Sequence, residues 1–172
     1  MKDNKGFSIV ELIVVIAIMS ILAGVVTISM RSVTGTYVKQ CSANIKSQLA
    51  NTRHMTMGKN KVKLKIYVGS DGAYYSDMEV YASDSSVTPE NVTTTKLGKK
   101  SVEVKYSKEA GLSEGSFKIL TESNPIEIEF DRSSGAVKDA VNCVKQIKVS
   151  QGSHTKKITI YTETGKISEE NE

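Results

Sequence analysis

Proline is absent from this sequence before Pro89 and occurs once more, at Pro125. Nothing in the first half of the chain therefore forces a helix to break. Histidine and cysteine are each present twice, as His54 and His154, and Cys41 and Cys143. The HExxH, CxxC and GxSxG spacings are all missing, which excludes the common zinc, dithiol and serine-nucleophile arrangements. His54 reads as a helix-end residue and His154 as a hairpin-turn residue. Asp71, Asp77 and Asp84 do not have EF-hand spacing. No catalytic residue, metal or cofactor is expected. Charge of either sign is also missing over one long run: Leu12–Met30 holds no Asp, Glu, Lys or Arg.

That run is the most informative feature of the chain. As a helix, Phe7–Met30 spans about 36 Å, enough for a bilayer core of about 30 Å with some tilt. Directly before it stands one carboxylate, Glu11. A charge inside a membrane segment costs roughly 3 kcal/mol and needs a partner or another location. A secretory signal peptide would have a shorter apolar part and a longer basic part, although Ala23-Gly24-Val25 offers a small-residue cleavage site. A signal anchor fits the span, with Lys2 and Lys5 holding the N-terminus in the cytoplasm. It gives Glu11 nothing to do.

Lys5-Gly6-Phe7-Ser8-Ile9-Val10-Glu11-Leu12 resembles the processing site of class III signal peptides, carried by type IV pilins and pseudopilins. The resemblance implies cleavage by a prepilin peptidase after Gly6, so that 1–6 is a leader. It implies N-methylation of Phe7 and retention of 7–30 as the membrane and assembly half of a long helix. Glu11 is then the fifth mature residue, an assembly contact for the N-terminal amine of a neighbouring subunit. The implied partners are other pilin or pseudopilin subunits and an inner-membrane assembly platform. The implied location is the cytoplasmic membrane, single-pass with the N-terminus in the cytoplasm, and then a surface filament. Many major pilins carry a proline in this helix; this chain carries none, which points towards a minor subunit.

The remainder, 31–172, is long enough to bury its own core. Net charge is +4; without Lys2, Asp3 and Lys5 it is about +3, a weak sign of an anionic partner. Val38, Cys41, Ile45, Leu49, Thr52 and Thr56 recur at helical spacing, which predicts a helix over 31–57 that buries one stripe and stops at Gly58. From Lys61 to Val68 apolar and basic residues alternate, which predicts a strand. Further strands are predicted at 73–81, 102–106, 126–130, 143–149 and 156–162, with a surface loop over 82–100 and a sheet spanning 61–167. The expected fold is α+β and pilin-like: a long N-terminal helix, half transmembrane and half packed on an antiparallel β-sheet.

Two stretches narrow the resemblance. Leu49-Ala50-Asn51-Thr52-Arg53 near the helix end, and the succession Ile126–Phe130, Gly135, Val144–Val149, Lys157–Tyr161 and Gly165-Lys166-Ile167 in the last third, are similar to GspH/FimT-type minor pseudopilins. Cys41 and Cys143 leave two alternatives open, an extracytoplasmic disulfide or two buried free thiols. Lys61, Lys63 and Lys65 on one strand face, with Lys59, Lys99, Lys100, Lys156 and Lys157, suggest an anion or DNA patch, as in a competence pseudopilin. The acidic ending Ser168-Glu-Glu-Asn-Glu172 opposes it, and alternate lysines also serve to keep a strand edge from pairing. A monomeric signal-anchored surface protein is the alternative from another class.

Overall fold

The computed structural model describes residues 8–58, 61–109 and 116–172, and of 24–34 the helical backbone alone. One helix, α1 (Ile9–Met57), leads into nine strands: β1 (Lys61–Val68), β2 (Tyr74–Tyr81), β3 (Asn91–Gly98), β4 (Glu103–Ser107), β5 (Lys118–Ile119), β6 (Ile126–Glu129), β7 (Gln146–Gln151), β8 (His154–Tyr161) and β9 (Lys166–Asn171). The expected α+β architecture is what forms, a long N-terminal helix packed on antiparallel strands.

There are two sheets rather than one, in the orders β3-β2-β1-β6 and β5-β4-β7-β8-β9. Both lie against the second half of α1. Val38, Cys41, Ile45 and Leu49 are each at most 1% exposed and share a single core with Leu64, Ile66, Ile126 and Ile128 of one sheet and Val104, Ile147, Val149 and Ile158 of the other. Thr52 and Thr56 complete the stripe; each satisfies its hydroxyl by donating to the carbonyl four residues back. Two links tie the sheets together besides the helix. The Tyr74 hydroxyl of β2 accepts the Val104 N–H of β4, and the Val137 N–H donates to Thr162 O at the end of β8.

Three sequence expectations change. The 82–100 segment is a loop only as far as Glu90, because Asn91–Gly98 pairs with β2. Its Thr-rich stretch is polar because β3 is an edge strand, exposed over Asn91–Thr94. Cys143 precedes its strand rather than opening it. The acidic ending is not a tail, because Ser168–Asn171 pairs along β8.

The inward register of β9 places Glu169 beside Ile158 on the helix side of the sheet. Its carboxylate accepts from Ser42 Oγ at 3.0 Å and Lys156 Nζ at 2.8 Å, with Lys46 Nζ at 3.6 Å. Burial alone would raise its pKa, but these hydrogen bonds and the Lys156 and Lys46 charges outweigh it, so the pKa lies below its ordinary value. A charged last strand is thereby fastened to the helix.

Helix and sheet approach closely at Gly98, the last residue of β3. A Cβ there would lie 2.5 Å from Cys41 Sγ, so the end of β3 touches the helix only because this residue has no side chain.

Candidate functional site

Ser8 and Glu11 start the helix together. The Val10 N–H donates to Ser8 Oγ at 3.3 Å, and the Ser8 N–H donates to Glu11 Oε2 at 3.0 Å, a capping box. One carboxylate oxygen is thus used within the chain. Glu11 is the only charged residue from Ser8 to Met30.

From Leu12 to Ala23 the helix has no dry face. Leu12, Ile13, Val14, Val15 and Ile16 point around a full turn and more, yet each is between 49% and 61% exposed. An amphipathic helix would hide some of these against its own domain. Here the domain leaves Ile9–Ala23 exposed, and among the described residues the first buried side chain of the helix is Val38. A helix that is apolar all round needs other apolar surroundings, either lipid or other helices. Among the described residues, no helix is long and apolar enough to cross a membrane. The uncharged sequence run continues from Ala23 to Met30, into the part whose side chains are not described.

The other predicted site residues are distributed over the whole domain. Gly6 and Phe7, the expected cleavage and methylation positions, lie outside the described residues, as does Lys59.

Cys41 and Cys143 are both buried and both free, so the bridge alternative is corrected. Cys41 packs under Gly98, while the Cys143 thiol donates to Ala140 O at 3.7 Å in the loop before β7. Burial pushes the Cys41 thiol up to about 12 from an ordinary 9.0, and burial raises Cys143 as well. Ellman titration of denatured, unreduced protein is expected to give two thiols. In the folded protein near pH 8, Cys41 should react on the order of 1000-fold more slowly, because the thiolate is the reactive form. Absence of thiol in the denatured sample would reinstate the bridge.

The lysine face meets carboxylates on both sides. β1 is an interior strand of its sheet, so its lysines guard no edge. Lys63 stands opposite Glu79 on one side and Glu129 on the other; Lys65 stands between Asp77 and Glu127. Lys61 donates to Asp84 O at 2.9 Å and lies 5.0 Å from the centre of the Tyr81 ring. Opposite charges alternating across three strands stabilise the sheet and cancel its field. Lys156 is turned inward onto Glu169, and Lys157 lies 3.8 Å from Glu172. Lysine spacing in β1 and β8 therefore gave no information on the carboxylates that pairing would bring alongside. Lys99 and Lys100 are exposed in the turn after β3. Among the described residues, no group of His, Cys, Asp and Glu is arranged to hold a metal ion.

A contact that spacing alone did not reveal joins the two stretches flagged near the helix end and the C-terminus. Arg53 Nε donates to Gly135 O at 3.0 Å and its Nη2 to Thr164 O at 3.1 Å. The helix end thereby clasps the turns before β7 and between β8 and β9. Gly135 and Gly165 sit at φ +68° and +62°, the left-handed region that favours glycine.

Comparison with known proteins bears on the N-terminus alone. A family described as prokaryotic N-terminal methylation motif matches residues 1–27. No curated protein and no solved structure matches the chain. The first 27 residues thus carry the methylation motif, and it ends within the helix, before the globular part begins.

Proposed function

We propose that the chain is a minor pilin or pseudopilin, a subunit of a type IV pilus or type II secretion-like filament acting in assembly, priming or tip function. The observation that carries this reading is the apolar helix exposed all round, headed by Glu11 as its lone charge, within the span of the methylation motif. In this reading 1–6 is a leader cut after Gly6 by a prepilin peptidase, and the new N-terminal Phe7 is methylated. Residues 7–30 lie first in the cytoplasmic membrane and then against neighbouring subunits. Residues 31–172 form the extracytoplasmic domain. Glu11 is costly in lipid and is compensated beside a neighbour's terminal amine, which favours subunits in register. The partners are other pilin-type subunits, the peptidase and an inner-membrane platform.

The two sheets serve as a carrier for that helix: their core grips Val38 to Thr56 and leaves Ile9–Ala23 exposed. The GspH/FimT-type assignment draws support from Arg53, Gly135 and Gly165, flagged separately in the sequence and in contact in the fold. Competence-type DNA binding loses its main support with the neutralised β1 face.

The mature protein is the direct test. Expressed with a prepilin peptidase, it is expected to have lost Met1–Gly6 and gained one methyl group by intact mass. An unprocessed N-terminus, or cleavage near Ala23, would overturn the assignment.

A further inference from the structure

Three turns gather where α1 leaves the domain. The β7–β8 turn reaches Gly35, where a Cβ would lie 3.4 Å from the His154 ring. The β3–β4 turn holds Lys99, whose ammonium is 4.2 Å from the centre of the Tyr37 ring. The β1–β2 turn lies under Lys100, whose methylenes would be met at 3.0 Å by a Cβ on Gly72. Lys99, Lys100 and, on the helix, Lys39 are exposed.

Among the described residues, three carboxylates near these turns are engaged. Asp71 accepts the Ala73 N–H and the Tyr75 hydroxyl and lies 3.4 Å from Lys96. Glu172, beside Thr155, faces Lys148 at 2.6 Å. Glu103 is taken by Lys105 at 2.8 Å.

We propose that this end of the domain is a docking surface for anionic lipid headgroups, with Lys99 and Lys100 as its contacts; the inference rests on the membrane reading of the helix. Distance supports it. The uncharged run ends at Met30, and five residues of helix from there to Gly35 rise about 7.5 Å. The β7–β8 turn therefore stands within about one Debye length of the headgroups at physiological salt, and Lys99, at the level of Tyr37, stands about 10.5 Å away, a little beyond one. Each lysine so placed contributes about a fivefold gain in surface association. Tyr37 lies at the same level, where amphipathic rings favour the interface. Both side chains are already held, the Lys99 ammonium over the Tyr37 ring and the Lys100 stem against Gly72, so little side-chain freedom is lost on contact. Held this way, the domain would stand over the membrane in a fixed orientation before assembly, and extraction would have to break the contact.

The test is hydrogen exchange of the full chain in lipid nanodiscs, either wholly phosphatidylcholine or with phosphatidylglycerol added. Amides of the turns at 98–101 and 152–154 are expected to exchange at least about fivefold more slowly in the anionic discs. The protection should disappear in about 0.5 M salt and in the double variant Lys99→Glu/Lys100→Glu. A milder pair, Lys99→Gln/Lys100→Gln, should lose part of it and guards against misfolding by charge reversal. Equal exchange in the two lipids with the helix amides protected would overturn the docking and spare the membrane reading. Unprotected amides over Ile13–Ala23 in both lipids would overturn the membrane reading, and the docking with it.

Discussion

Replacing Glu11 by valine is expected to leave the chain in the membrane and remove it from filaments. The local cost is small. Glu11 accepts the Ser8 N–H at 3.0 Å in an exposed capping box, and losing such a cap costs about 1 kcal/mol of helix stability. Insertion should improve, because roughly 3 kcal/mol of buried charge is removed. Assembly should fail, because a neighbour's amine then enters an apolar helix pack with no counter-charge. Leaving one member of a buried pair unpaired costs about 3–5 kcal/mol, a factor of at least about 100 in occupancy. The measurement is the amount of subunit in sheared filaments, or in co-purified partner complexes, relative to the amount in membranes.

Two companion variants separate charge from capping. Glu11→Gln retains an acceptor for the Ser8 N–H but not the charge, and should fail like valine. Ser8→Ala removes the hydroxyl that accepts from Val10 but keeps the carboxylate, and should assemble nearly as well as the parent. Normal incorporation of Glu11→Val would leave the lone carboxylate without a role in assembly, and absence of the parent chain itself from filaments would favour the monomeric anchored protein. Failure of Ser8→Ala to the same degree would mean that the helix start, not the charge, is what assembly needs.

The parts of the fold that were legible in the sequence are those written in period. Val38 to Thr56 at helical spacing and Val62, Leu64 and Ile66 at alternate positions specify which face is dry, and all are buried. The division into two sheets is not written that way, since it depends on which strands meet. β3 was missed because an edge strand needs no apolar face of its own, and Asn91–Thr95 offers almost none. The same ignorance of pairing misjudged charge. Lys63 and Lys65 look like a basic face until β2 and β6 bring Glu79, Glu129, Asp77 and Glu127 beside them. Glu169 belongs to the acidic ending Ser168–Glu172, yet its register turns it to Ser42. At the N-terminus the motif was legible because its chemistry is local: Gly6, Phe7 and Glu11 need only their spacing.

Gly165→Ala is expected to be the most destabilising small substitution in the domain. Its φ of +62° costs an alanine about 1–2 kcal/mol. A Cβ there would fall directly onto the Gly135 carbonyl oxygen and 2.8 Å from Arg53 Nε. Relieving that clash moves one turn off the other, which adds about 1–3 kcal/mol of overpacking. It also weakens the two bonds that Arg53 donates, and bonds from a charged donor are worth about 1.5–3 kcal/mol. The total, about 3–5 kcal/mol, should lower the midpoint of a tyrosine near-ultraviolet melt by roughly 10 °C or more. Gly152 is the matched control: its φ is +60°, and a Cβ there would meet nothing within 4 Å. Gly152→Ala should therefore show the backbone cost alone, about 1–2 kcal/mol. In an Arg53→Ala background the two glycine substitutions should draw closer, because part of the Gly165 cost belongs to the clasp and would already be lost. If Gly165→Ala melts no lower than Gly152→Ala, the two turns do not depend on their contact. Arg53 would then be an ornament on the helix end, rather than a second clasp, beside Glu169, through which the C-terminal strands hold α1.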